Sequence, residues 1–314
     1  MNVINFLLSA ISLGTTFIYG STGEILTEKA GHLNLGIPGV MCVGGASGCV
    51  AISMMYETGM PPALILIIAV LATFLGGALM GLIYSFLTVT LHSNQNVTGL
   101  AMTTFGVGLM KYMMSNLKPI TYLYAVKYFR FPFADMKNSL QYCGLMMFLG
   151  FAIAIAASIV LNRTRLGLHL RAVGENPATA DATGINVTAY KYGATCIGSG
   201  IAGIGGIFYM LTYSGSQEAY KNVEPLGWLA IALVIFTLWK PYLTIFGASL
   251  FGTLFVAGSF IPSFGITLDM SATPLLEMLP YVVTVIVLIV TSIRNRGTNQ
   301  PPASLGTNYF REER

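Results

Sequence analysis

The chain is a succession of apolar runs, each about as long as a membrane crossing, joined by short polar segments. At 1.5 Å of rise per residue a helix needs about 20 apolar residues to cross the hydrocarbon core. That rule picks out 3–22, 36–56, 63–88, 97–115, 143–161, 189–211, 225–239, 243–260 and 275–293. The fold class is therefore all-α, a polytopic membrane protein with about nine transmembrane helices, within a range of about eight to ten. Only 9% of the residues are charged, against about 25% in soluble domains, and mean hydropathy is +0.71. No segment between the runs could build a second solvated body, so 1–293 reads as one transmembrane domain and 294–314 as a cytoplasmic tail. With no Lys or Arg before Lys29, the first run lacks the basic front of a cleaved signal and is expected to stay as a span.

Charge sets the expected orientation, because short loops rich in Lys and Arg stay cytoplasmic. Segment 162–188 carries Arg163, Arg165 and Arg171, and the tail carries Arg294, Arg296, Arg311 and Arg314; both are placed inside. Counting back puts 23–35 inside with Lys29 and the N-terminus outside. The same count puts 116–142 outside despite Lys118, Lys127, Arg130 and Lys137. The run 225–239 is short and flanked by Pro225 and Pro241, the pattern of a broken or re-entrant helix. Small residues recur at i, i+4 as Gly44 and Gly48, Gly77 and Gly81, and Gly198, Ala202 and Gly206, a spacing that lets membrane helices approach closely. The Gly-rich runs 36–50 and 198–206 each follow a charged segment, which suggests an internal duplication. Cys42, Cys49, Cys143 and Cys196 lack CxxC pairing and read as packing residues. The net charge of +4 sits in short connections, so no nucleic-acid surface is expected.

One joint is too elaborate to be a mere connection. Segment 164–184 carries helix formers through Arg165, Gly167 and Arg171, a break expected at Gly174, then Glu175 and a fresh start. There Asn176 is placed to cap and Pro177 to take the first helical position. Two short cytoplasmic helices follow, ending near Gly184. Interleaved Leu168, Leu170 and Val173 suit docking into a groove on another protein or lying on the lipid surface; the pattern alone leaves both open.

The stretch TRLGLHLRAVGENPATADATGI (164–185) resembles the cytoplasmic coupling segment of the simple-sugar and nucleoside permease family of bacterial ABC importers, of branched-chain amino acid and ribose type. EILTEKAGHLNLGIPGVM (24–41), GWLAIALVIF (227–236), LPYVVTVIVL (279–288) and PPASLGTNYFREER (301–314) are similar to further blocks of that family in the same order. Within it the chain looks most like the shorter permease that pairs with a basic-membrane-lipoprotein type binding protein. Pro38 stands where the family often has Glu, and the family often has Asn near Thr103 or Thr104, which bears on the substrate.

The resemblance implies an inner-membrane importer permease moving nucleosides or related purines inward, with a simple sugar as the alternative. It implies a separate ABC ATPase subunit, an extracytoplasmic solute-binding lipoprotein, and a second permease, either a longer homologue or a second copy of this chain. Arg165, Gly167, Arg171, Gly174, Glu175, Asn176, Pro177 and Gly184 become the candidates for coupling to the ATPase, with Arg165 and Arg171 equally readable as positive-inside anchors. No G-x-x-x-x-G-K-[ST] loop is present, so ATP and Mg are expected on the partner, with no cofactor on this chain and no enzymatic activity of its own.

Solute-path candidates are polar residues in or beside spans: Asn34, Asn96, Thr98, Thr103 and Thr104, with Trp228 as a stacking surface. Each Thr can instead bond back to its own helix, and Trp228 and Trp239 can be interface anchors. Glu24, Glu28 and Lys29 lie within a helical turn, where local pairing is expected. His32, His92 and His169 are too scattered for a metal site. A secondary transporter would need ionisable residues at mid-membrane, whereas Glu57, Lys111, Asp269 and Glu277 fall near predicted ends. A membrane enzyme would need clustered acids, histidines or a nucleophile with its base, and a passive channel leaves segment 162–188 without a purpose.

Overall fold

The computed structural model describes residues 2–136, 138–260, 278–293 and 300–310, and every regular element among them is helical. The helices are α1 (Asn2–Lys29), α2 (Ile37–Met55), α3 (Pro62–Ser85), α4 (Gln95–Ser115), the single turns α5 (Ile120–Leu123) and α6 (Val126–Phe129), α7 (Leu145–Arg163), α8 (Arg165–Glu175), α9 (Pro177–Ala182), α10 (Val187–Ile207), α11 (Val223–Phe236), α12 (Pro241–Phe260) and α13 (Leu279–Ile293). Each predicted run coincides with a helix, though 275–277 lie outside the described residues. Seven described helical segments are long and apolar enough to cross a membrane. α4 is long enough at 21 residues but more polar, and α13 has 15. The expected count of nine is thus not established by length and hydropathy alone.

The main departure is at α1. It runs to Lys29, well past the predicted end at residue 22, and so carries Glu24 and Glu28 inside a helix instead of in a loop. α3 and α10 both widen into π-helical turns at their ends, Phe86–Thr90 and Phe208–Ser214. The short run 225–239 is a single helix, α11, that ends in a reversal rather than a break: Leu238 and Trp239 both adopt left-handed backbone before α12 starts at Pro241.

Burial is arranged for lipid. On α3, Leu71, Leu75 and Leu79 are 55%, 64% and 57% exposed along one i, i+4 stripe, while Thr73, Gly77 and Tyr84 face inward. Large apolar side chains outside and small or hydroxylated ones inside is what a solvent of acyl chains selects, since helix association there comes from close packing rather than water exclusion. α10 is the hub: nearly nine-tenths of its most apolar window is buried. A Cβ on Gly44 of α2 would stand 2.5 Å from the Cα of Gly203, one on Gly198 would run into the Gly23 carbonyl of α1, and one on Gly81 of α3 would meet Thr195 and Ser199. Backbone touches backbone at these crossings, so the small-residue spacing in the sequence marks helix contacts. The cysteines are free, three buried and Cys196 half-buried.

The connections gather at two ends. One holds the α1–α2 turn, the α3–α4 connection, α8–α9 and residues 300–310, which bond one another. The other holds the 116–142 loop. Its basic residues looked out of place on that side, and for Arg130 the reason is local. Nε donates to the Thr212 carbonyl at 2.8 Å, Nη2 to that of Tyr213 at 3.1 Å, and the guanidinium lies 5.0 Å from the Tyr142 ring. Arg130 caps the carbonyls left by the π-turn of α10, a structural task independent of topology.

Gly44→Leu should force α2 off α10 and cost several kcal/mol, read as loss of the monodisperse peak in detergent. Gly193→Ala, at a position with nothing within 4 Å of the added carbon, should behave as the parent chain. Equal behaviour of the two would remove α10 from its central place.

Candidate functional site

The α8–α9 pair is built by its caps. The Thr164 hydroxyl accepts from the Gly167 amide at 3.2 Å, and the Asn176 side chain accepts from Thr179 N at 3.0 Å with Pro177 at the first position of α9. Two helices and an Asn-Pro restart stand as expected, but the break does not fall at Gly174. α8 continues through it to Glu175, and Gly174 is buried because a Cβ there would collide with the Lys29 carbonyl. Gly167 likewise lies flat against Val160 and Leu161 of α7. Gly184 is a left-handed turn residue at φ +85°, the kind of position glycine fills without strain. Of the coupling candidates, Arg165, Glu175 and Asn176 are therefore exposed and Arg171 and Pro177 partly so, joined by exposed Leu166 and Leu168; Gly167 and Gly174 seat the helix from behind.

Residues 300–310 hold this pair in place. Ser304 donates from its amide (3.0 Å) and its hydroxyl (2.6 Å) to the Gly174 carbonyl, one of the acceptors that the end of α8 leaves unpaired. The Ala303 amide donates to the Glu175 carboxylate at 3.2 Å, and Tyr309 to Asp181 at 3.0 Å. The same segment reaches the neighbouring joints. Gln95 Nε2 donates to the Thr307 carbonyl (3.2 Å) while its Oε1 accepts from Leu33 N (2.8 Å). Asn308 donates to the His92 carbonyl at 2.6 Å. Gly31, at φ +84°, lets the α1–α2 turn pass beneath Ser304.

Beneath this end lies a buried polar brace. The Trp239 indole donates to the Glu28 carboxylate, and the Glu24 carboxylate accepts from Asn34 N at 3.1 Å. Trp239 is far along the chain and Asn34 ten residues on, so these bonds add partners beyond the expected local pairing of Glu24, Glu28 and Lys29. Trp239 is 7% exposed and is no interface anchor. Glu24 and Glu28 lie buried in the last turns of α1, and both serve as acceptors, Glu28 for the α11–α12 reversal and Glu24 for the α1–α2 turn. His32 is 1% exposed with Nδ1 3.0 Å from the Thr195 hydroxyl. Burial, with the charge of Lys191 nearby, holds its imidazole well below the usual range.

The solute-path candidates separate. The buried Asn34 folds its Oδ1 onto Gly36 N at 2.9 Å, and its Nδ2 is buried with no partner among the described residues. Thr103 donates to the Leu35 carbonyl at 2.8 Å, tying α4 to the same turn, and Thr98 is buried one helical turn earlier. Gly227 of α11 packs on Pro38, which brings half-buried Trp228 to the start of α2. Thr104 is exposed and bonds back to Leu100 at 3.1 Å, and Asn96 is exposed at the start of α4; neither joins the group. Sequence reasoning missed Lys191, a lone cation inside a predicted span and thus visible in principle, and it missed Gln95, Ser304 and Asn308, whose only signal was position in polar joints.

The described residues form a multi-pass helical body with a small-residue core and, at one end, a capped and exposed helix pair. The chain belongs to the family described as branched-chain amino acid transport system / permease component, whose profile matches residues 6–290. It is similar over its full length to the nucleoside ABC transporter permease NupC of Lactococcus lactis, 29% identical with 100% of each chain covered. It is 30% identical to TsgC13 of Haloferax volcanii, a provisionally assigned glucose ABC transporter permease, over 97% of each chain. The guanosine ABC transporter permease NupQ of Bacillus subtilis is 25% identical over 100% of both.

Because the folded state holds His32 below its unfolded value near 6.5, the stability it contributes is complete above that pH and is lost as pH falls through and below it. Thermal unfolding should therefore shift downward between about pH 6.5 and 5, and His32→Gln should flatten that shift. An identical decline in the variant would exclude His32 as its source.

Proposed function

We infer that this chain is the permease subunit of an ATP-driven importer that moves nucleosides across a bacterial cytoplasmic membrane. The observation that carries the coupling half of this reading is the α8–α9 pair, seated by Gly167 and Gly174, capped at both starts and offering Arg165, Leu166, Leu168 and Asn176 outward. Such a rigid exposed knob suits an intracellular ATPase that binds Mg-ATP, with the end bearing α8–α9 in the cytoplasm. Displacement of α8 would pass to α1 and α2 through the Gly174–Lys29 contact and residues 300–310, a rigid-body route to alternating access. On the opposite face a binding lipoprotein would deliver the solute, and a second permease, homologous or identical, would complete the channel.

The nucleoside assignment is supported by full-length similarity to NupC and NupQ. The reading takes Asn34, Thr98 and Thr103 near the α1–α2 turn, and Trp228 beside the Gly227–Pro38 contact, as the solute path, an amide and an indole face being suited to a base. A simple sugar is the second reading, favoured by the similarity to TsgC13.

Proteoliposomes containing the chain, its ATPase and its binding protein should accumulate labelled guanosine only with internal ATP, and unlabelled glucose should not compete. Arg165→Glu combined with Arg171→Glu should cut uptake at least about tenfold, the scale of one lost charge-assisted contact, without changing the thermal unfolding of the permease alone. Uptake without the ATPase would sink the coupling reading; competition by glucose and not by nucleosides would move the substrate to the second reading.

A further inference from the structure

Between the start of α10, the α9–α10 connection and the π-turn that ends α3 lies a polar cavity of about 420 Å³. That is within the range of small-molecule sites, about 300–1,000 Å³, and larger than a single ion needs. Lys191 lines it, 3% exposed, yet its ammonium has no hydrogen bond or carboxylate partner among the described residues. The neighbour that feels its charge is His32, whose imidazole burial holds well below the usual range, so it offers no countercharge. Burying an ammonium without a partner is costly, and a cavity beside it is where the missing anion would sit.

A second feature points the same way. Val187 and Thr188 form the first turn of the 21-residue α10 and line the cavity with Lys191. The Asn186 side chain caps Ala189 N at 3.0 Å, so the amides of Val187 and Thr188 are donors that the helix leaves unpaired, at its positive end. A buried lysine one turn into a helix, beside its free amides, matches the charge and the several acceptors of a phosphoryl group. Across the cavity, Asp181 accepts from Tyr309 at 3.0 Å and supplies acceptors for hydroxyls on the rest of a ligand.

We propose that this cavity is a binding site for a phosphate-bearing small ligand, its phosphoryl group held by Lys191 and the first turn of α10. The walls come from α9, on the exposed helix pair, from α10, the hub, and from residues 300–310, so an occupant ties the three together. The site stands on geometry alone; only the choice of a nucleoside monophosphate as a probe rests on the nucleoside reading, because kinases that consume an imported nucleoside produce that class of compound.

The test uses the full chain in phosphatidylcholine nanodiscs, without the ATPase, followed by thermal unfolding at constant ionic strength. Sodium phosphate or adenosine monophosphate at about ten times its Kd should raise Tm by about 3 °C, and adenosine should not. A parallel arm with phosphatidylglycerol nanodiscs and no added phosphate assigns the ligand to a lipid headgroup if that lipid alone gives a Lys191-dependent rise. Lys191→Met should abolish the rise while leaving the ligand-free Tm equal or higher, because an unpaired buried charge has been removed; Lys118→Met, at the other end, should change neither. The proposal is overturned if none of the three phosphate sources stabilises in a Lys191-dependent way, or if Lys191→Met lowers the ligand-free Tm. Because no transport is measured, either result leaves the import reading to stand or fall on uptake.

Discussion

Everything in this molecule depends on backbone reaching backbone where α10 crosses its neighbours. Lipid tails are as apolar as leucine, so burying leucine between helices gains little, and the association has to come from dispersion at short range. Gly44 against Gly203, Gly198 against Gly23 and Gly81 against Ser199 bring α1, α2 and α3 onto one helix at distances that any larger residue would forbid. The large side chains are left for the outside, as the stripe on α3 shows. Such crossings bring stiffness as well as stability, since dense contacts have few alternative arrangements. A stiff centre is what allows a push at one end of the body to be felt elsewhere.

That end is secured by a different physics. Beneath α8 and α9 the acids Glu24 and Glu28 are buried, Glu24 accepting from Asn34 in the next turn and Glu28 from Trp239, 211 positions on. Leu238 and Trp239 hold left-handed backbone that is uncommon for side chains of their size, and the indole bond to Glu28 helps keep the reversal in that form. An acid removed from its donor here would be an uncompensated buried polar group, so the brace is specific as well as strong. The end that carries α8 and α9 is thus held by hydrogen bonds, while the membrane body is held by close glycine crossings.

Much of this was legible in the amino acids, and the reasons differ by element. The helices were readable because each is an uninterrupted apolar run, and α8 and α9 because Thr164 and Asn176-Pro177 are local signals that act within one turn. Gly174 was misread because a glycine that ends a helix and one that admits a neighbouring carbonyl look alike until the neighbour is known. α1 was drawn too short because Glu24 and Glu28 resembled a polar boundary; their partners Asn34 and Trp239 are set by tertiary contacts no local window contains. Among the solute-path candidates, Thr103 was separable from Thr104 only by which face of α4 meets the α1–α2 turn, and the hydropathy of α4 is too even to show it. Arg130 resembled a topology signal in the sequence, whereas its contacts satisfy carbonyls freed by a π-turn.

Residues 300–310 close the exposed helix pair, the α1–α2 turn and the start of α4 into one unit. The joints they bond lie far apart in the sequence, so none of them can tilt without stretching hydrogen bonds shared with the others. Separate connections are thereby reduced to a single lever, with one degree of freedom where independent hinges would have had several.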